Sequence, residues 1–207
     1  MIKAIKTLIL FVIPLVSSSQ VIWELGFDGI NSLSSPRAID LNLDGVKDIV
    51  IGGGVEEDSS EFGFIAIDGE TGALLWFAES RDQVFTSPVF LSINQDASPD
   101  VILGGRLAQL EAYDGLNGNL LWEFYSDETD PATVGLYNFY TGQVIPDQNG
   151  DFIEGLLVTN GGDRTALPQD TMRPPGHVMI VSGLDGIELA RMVVPDSQEV
   201  YCLYDVS

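Results

Sequence analysis

Apolar residues in this chain come in short runs separated by stretches rich in Gly, Asp, Asn, Ser and Pro. Such runs between turn residues predict β-strands. One order of runs recurs. A short segment (Pro36–Ile39) leads into an acidic stretch, then a run closed by a glycine pair (Ile49–Gly53), then a run ending in Ala66-Ile67, a turn, and Leu74–Phe77. The same order follows from Pro88–Leu91 through Val101–Gly105, and again from Gln143–Pro146 through Leu156 to Gly161-Gly162. No stretch after the first twenty residues carries the apolar period of an amphipathic helix. The pattern predicts an all-β chain.

The turns repeat as well. Ala66-Ile67-Asp68-Gly69-Glu70-Thr71-Gly72-Ala73-Leu74-Leu75-Trp76 returns as Ala112–Trp122, and in degraded form as Ile180–Ala190. Asp-Gly and Asn-Gly pairs between apolar runs are hairpin turns, because glycine supplies positive φ. Each unit therefore reads as four antiparallel strands, the content of a β-propeller blade. Three units are expected, at about 36–78, 87–126 and 140–194, within a repeat region spanning 20–207. Val21-Ile22-Trp23-Glu24 resembles the fourth strand of a unit, and Glu199–Val206 resembles a first strand. Three blades with two orphan strands leave open edges. The expectation is a partial propeller, the N-terminal part of a longer protein or a truncated product, with blades supplied by a partner chain as the alternative. The third unit also carries an insertion, Asp163–Gly176, with Pro168, Pro174 and Pro175, expected to be a long surface loop.

The chemistry concentrates in the acidic stretches. In the first, Asp40, Asn42, Asp44 and Asp48 alternate with other residues around Gly45. Oxygen-bearing side chains at this spacing suit a hard cation, and Ca²⁺ takes six to eight oxygens at flexible geometry. The Val46 carbonyl would add a further oxygen. This is not an EF-hand, because Ile51 stands where the closing glutamate would be. The second stretch keeps Asn94, Asp96 and Asp100 but has Ser92 and Ala97 in place of the first carboxylate and the glycine. The third keeps Asp147, Asn149 and Asp151. There Phe152 replaces the glycine, where positive φ is costly, and Gly155 removes the last carboxylate. A bound ion is expected to play a structural part, pinning the link between a unit's first two strands.

Charge and composition narrow the choice of partners. There are 31 acidic residues against 9 basic, a net charge of −22. Such a surface repels phosphate backbones, so nucleic acid is not expected as a partner. The single cysteine, Cys202, and single histidine, His177, exclude an internal disulfide and a His/Cys zinc cluster. His177 is expected to pack or cap a strand. Lys3 and Lys6 precede an apolar stretch, Thr7–Val16, and Ser17-Ser18-Ser19 offers small residues before a cut at Gln20. Residues 1–19 thus read as a secretory signal peptide, with no membrane span left after cleavage. Export to the cell envelope, periplasm or extracellular space would place the chain where Ca²⁺ is plentiful.

Asp40–Gly52, with its Asp-x-Asn-x-Asp-Gly-x-x-Asp core, resembles the FG-GAP calcium repeat of integrin α-type and VCBS-like propellers. Ala66–Trp76 is similar to the tryptophan-docking motif of PQQ-type quinoprotein propellers. The combination looks like secreted bacterial repeat proteins. The resemblance implies a propeller whose tryptophans dock neighbouring blades. It does not imply PQQ binding, because those enzymes are far longer and typically carry a vicinal cysteine pair. The aromatic passage Trp122, Phe124, Tyr125, Tyr137, Phe139 and Tyr140 reads as core between blades, with a sugar-stacking surface as the alternative. The expected function is an exported, calcium-binding, non-catalytic binding or adhesion module for a protein or glycan partner. The alternatives are a fragment of a cell-surface enzyme, such as a polysaccharide lyase or quinoprotein-like protein, and an envelope-assembly scaffold.

Overall fold

A computed structural model describes residues 21–124, 138–140, 142–161 and 176–192. Residues 1–20, where a signal peptide is expected, Glu199–Val206, Cys202, Tyr125, Tyr137 and the insertion up to residue 175 lie outside the described residues. The described chain contains β-strands and no helix. Thirteen strands form three antiparallel sheets. Sheet one is β1 (Arg37–Ile39), β2 (Asp48–Gly52), β3 (Ser60–Ile67) and β4 (Leu74–Ser80), in that order. Sheet two repeats it with β5 (Val89–Leu91), β6 (Asp100–Gly104), β7 (Leu110–Tyr113) and β8 (Leu120–Glu123). Sheet three has β10 (Gln143–Ile145), β11 (Gly155–Gly161), β12 (His177–Val181) and β13 (Glu188–Arg191). A two-residue strand, β9 (Asn138–Phe139), pairs with the end of β11.

The sheets pack face to face. Val50, Phe64, Ala66 and Trp76 of sheet one meet Val101, Leu103 and Tyr113 of sheet two, with Leu41 and Val84 closing the layer. The opposite face of sheet two carries Ile102, Leu110, Ala112 and Trp122 against Leu156, Val158, Met179 and Val181 of sheet three, with Phe139 among them. Strand β6 is buried throughout because alternate residues feed opposite cores. The outer face of sheet one is partly covered by the preceding stretch. Leu25, Phe27 and Ile30 line an apolar groove of about 220 Å³ with Ile51, Ile65 and Ile67.

Two kinds of contact recur where sheets meet, and a third joins sheets one and two. A tryptophan indole donates to a hairpin carbonyl of the next sheet: Trp76 to Gly115 at 2.8 Å and Trp122 to Gly183 at 2.7 Å. The segment entering each new sheet donates to a glycine of the previous one, Val84 N to Gly53 O and Phe139 N to Gly105 O, both at 2.8 Å. This explains the glycine pairs. A Cβ on Gly52 would lie 2.7 Å from the Val84 side chain, and one on Gly105 2.3 Å from the Gln83 carbonyl. Finally, Ser98 Oγ donates to the Leu41 carbonyl at 2.7 Å.

Residues 21–24 differ from expectation. They form no strand, because a strand exists through its pairing and no described strand runs beside them. Val21 and Ile22 are exposed. Yet Trp23 docks as the other tryptophans do, donating to Gly69 O at 3.1 Å over Gly72.

Candidate functional site

The acidic stretches are the loops between the first two strands of each sheet, and each lies beside the hairpin joining the last two strands. Within loop one the carboxylates accept from their own backbone. Asp40 takes the N–H groups of Asp44 and Gly45 at 3.2 and 3.0 Å, and Asp44 takes that of Val46 at 2.7 Å. The Asp44 contact, and that of Asn42 with the N–H of Asp44 at 3.0 Å, are Asx turns, while Asp40 closes the loop by reaching four and five residues on. They bend the backbone into the left-handed region at two positions. Gly45 has φ 90° and Phe152, its counterpart in loop three, φ 71°. The second position was not legible from residue type. Leu43, Gln95 and Gly150 occupy it with φ of 64°, 59° and 84°.

Asp48 stands apart from the other loop carboxylates. It is fully buried. It accepts the N–H groups of Leu41 (2.8 Å), Asn42 (3.2 Å) and Gly69 (3.0 Å), tying loop to hairpin. Asp100 repeats this with Ile93 (2.7 Å), Asn94 (3.1 Å) and Gly115 (3.3 Å). Burial pushes the Asp100 carboxyl above its ordinary range, with the amides of Asn94, Ile93 and Gly115 opposing. A carboxylate has about four acceptor sites, so three amides leave roughly one for a cation. Loop three has Gly155 at this position and lacks the tie.

The hairpin adds a group that the loop pattern does not contain. Asn42 Nδ2 lies 3.0 Å from Asp44 Oδ2 and 3.3 Å from Asp68 Oδ2. Asn94 Nδ2 stands likewise between Asp96 (3.1 Å) and Asp114 (3.2 Å). In loop three Asn149 reaches Asp151 at 2.8 Å, and the hairpin supplies Ser182, 3.4 Å from Asp151. The signal for Asp68 and Asp114 was present in the sequence, since both open the repeated hairpin motif. Backbone donors cap these groups. The N–H of Thr71 holds the Asp68 carboxyl below its usual range, and those of Gly150 and Phe152 do the same for Asp147.

Donor chemistry in loop one fits a hard cation. Asp40, Asp44 and Asp68 are carboxylates, and the Val46 carbonyl and Asn42 amide can add neutral oxygens. Among the described residues, however, no three His, Cys, Asp or Glu side chains are gathered to hold a metal ion. The Asn42 NH₂ group lies between the carboxylates instead. An amide nitrogen does not ligate a cation, so loading requires Asn42 to turn its oxygen inward.

Two further polar groups lie away from the loops. Arg81, which follows β4, pairs with Glu123 and lies 3.6 Å from Glu111 of sheet two. Tyr113 Oη donates to Glu111. Burial raises both Glu111 and Tyr113. Arg81, Glu111 and Glu123 border a polar cleft of about 290 Å³ with Ser59, Glu79 and Gln109. The cluster spans sheets one and two and reads as a joint. His177 is half-buried, its Nδ1 3.2 Å from Asn160 Oδ1, and burial depresses its pKa. Phe139 and Trp122 are core, whereas Phe124 packs against that core at its edge. Among the described residues no helix is long and apolar enough to cross a membrane.

No family model matches the chain, and no curated protein matches it.

Proposed function

We propose that the three sheets are consecutive β-propeller blades of an exported protein of FG-GAP and PQQ-like repeat type. In this reading the chain is a calcium-stabilised, non-catalytic binding module. The observation that carries it is the recurrence of one contact, twice between sheets and once from the segment that precedes sheet one. In each case a tryptophan donates to the carbonyl of the glycine that opens the neighbouring hairpin, as Trp23, Trp76 and Trp122 do. A propeller requires such a seam between every pair of blades, whereas a two-layer sandwich requires only one interface.

Ca²⁺ would be held in loop one by Asp40, Asn42, Asp44, the Val46 carbonyl and Asp68, with Asp48 as a tie that keeps one acceptor site. Loop two offers Asn94, Asp96, Asp114 and Asp100. Loop three offers Asp147, Asn149 and Asp151. The ion would neutralise neighbouring carboxylates and fix each loop against its hairpin. Thermal melts in excess Ca²⁺ and in EDTA test this. Melting is expected to occur at higher temperature with Ca²⁺, and Asp44→Ala is expected to shrink the gap. Identical melts in both buffers would remove calcium from the reading.

A further inference from the structure

Position six of the acidic loops points into solvent in all three units. A Cβ on Gly45 would meet nothing within 4 Å. Ala97 is exposed although its sheet is packed on both faces. Exposure at this position therefore does not depend on what lies beside the sheet. In loop three the position holds Phe152, 90% exposed at φ 71°. A bulky residue adopts that backbone only at a cost, and an aromatic ring in water forgoes its burial energy. Phe152 belongs to neither core cluster, so no packing offsets the exposure of its ring, while Asp147 holds its backbone in place by accepting its N–H at 2.9 Å. Leu43 repeats the combination, 51% exposed at φ 64°. The hairpins at this end add exposed Leu116, Leu184 and Ile187.

Carboxylates surround these side chains. Asp44, Asp96, Asp114 and Asp151 lie in the same loops and hairpins, and the exposed Glu70, Glu154 and Asp185 add charge there outside the cation donor sets. Among the described residues the one cation of these loops and hairpins is Lys47. Arg37, Arg81, Arg106 and Arg191 lie at or just beyond strand ends away from them. An apolar surface rimmed by charge of one sign is a docking surface whose partner carries the opposite sign.

We propose that this end of the molecule docks a cationic, amphipathic segment of a partner protein. An apolar side chain of the partner would seat against Phe152 and its neighbours, with Lys or Arg against the rim. The proposal rests on the binding-module reading and names the chemistry of its partner. An anionic membrane is the competing surface, and the rim repels it.

The probe is a synthetic peptide of alternating Lys and Leu pairs, titrated by fluorescence anisotropy in EDTA so that cation loading plays no part. Phe152→Gly is expected to weaken binding at least fivefold without lowering the melting temperature, while Leu33→Ser, an exposed leucine elsewhere on the chain, leaves binding unchanged. A loss below fivefold, an equal loss with Leu33→Ser, or a lower melting temperature for Phe152→Gly would each overturn the proposal. So would tighter binding of a Glu-for-Lys peptide or of phosphatidylserine vesicles. The calcium melts are read separately, so a retained calcium shift with no peptide binding removes the docking surface alone.

Discussion

A carboxylate taken out of water without a partner costs several kcal/mol. Asp48 and Asp100 avoid much of that cost because backbone N–H groups meet both of their oxygens. Removing the Asp48 side chain leaves three donors unmet, one buried and two partly buried, at about 1–3 kcal/mol for each one that water does not reach. Asp48→Ala is therefore expected to lower unfolding free energy by about 3 kcal/mol or more, equally in Ca²⁺ and in EDTA. Asp44→Ala, on the exposed rim, is expected to cost less than about 1 kcal/mol in EDTA. Urea unfolding of both variants in both buffers is the check, and a loss at Asp48 confined to Ca²⁺ would reassign it to the ion. The spacing of Asp40, Asn42, Asp44 and Asp48 was legible as one set of oxygens. The division of labour within it was not, because residue type does not reveal which oxygens the backbone already occupies. Asp68 and Asp114 were missed as loop partners for a related reason. They come close only after β2 and β3, or β6 and β7, have paired.

Hairpin glycines look alike in sequence and do different work. Gly72, Gly118 and Gly186 each sit at φ 73° and supply the turn. Gly69, Gly115 and Gly183 are needed for space. A Cβ there would stand 1.9, 1.9 and 2.0 Å from the carbonyls of Lys47, Pro99 and Glu154. Those oxygens belong to backbone and cannot swing aside. Gly115→Ala is expected to cost about 2 kcal/mol or more through overpacking. Gly45→Ala, with open space and only left-handed strain, is expected to cost about 1 kcal/mol. Chemical denaturation ranks the two, and a larger loss at Gly45 would contradict the close-approach account. At this scale the sequence was most readable. Strands β1 to β8 and β10 to β13 follow the apolar runs, because turn residues mark their ends. Strand β9 escaped notice because two residues carry no period. Residues 21–24 were read as a strand from their likeness to β4 and β8, but a likeness supplies no pairing partner.

Sheet two shares both faces with neighbours, whereas β1 is exposed along most of its length. Native-state amide exchange is accordingly expected to be slowest in β6 and fastest in β1 and β13, with protection falling from the middle sheet outward. Faster exchange in β6 than in β1 would mean that the sheets open independently. The stacking was legible through Trp76 and Trp122 and through the aromatic passage that includes Phe139. The seam donor Val84 lies in a connecting segment that carries no repeat motif, and Phe139 sits in the two-residue strand β9. One property of these seams reaches beyond stability. Apart from the Arg81 joint, their acceptors, at Leu41, Gly53, Gly69, Gly105, Gly115 and Gly183, are main-chain carbonyls. A carbonyl is present whatever residue bears it, so neighbouring units recognise each other's chain path more than each other's side chains. Units joined in this way behave as interchangeable parts. One can be copied, and its surface can drift to a new use, while the joint on either side stays the same.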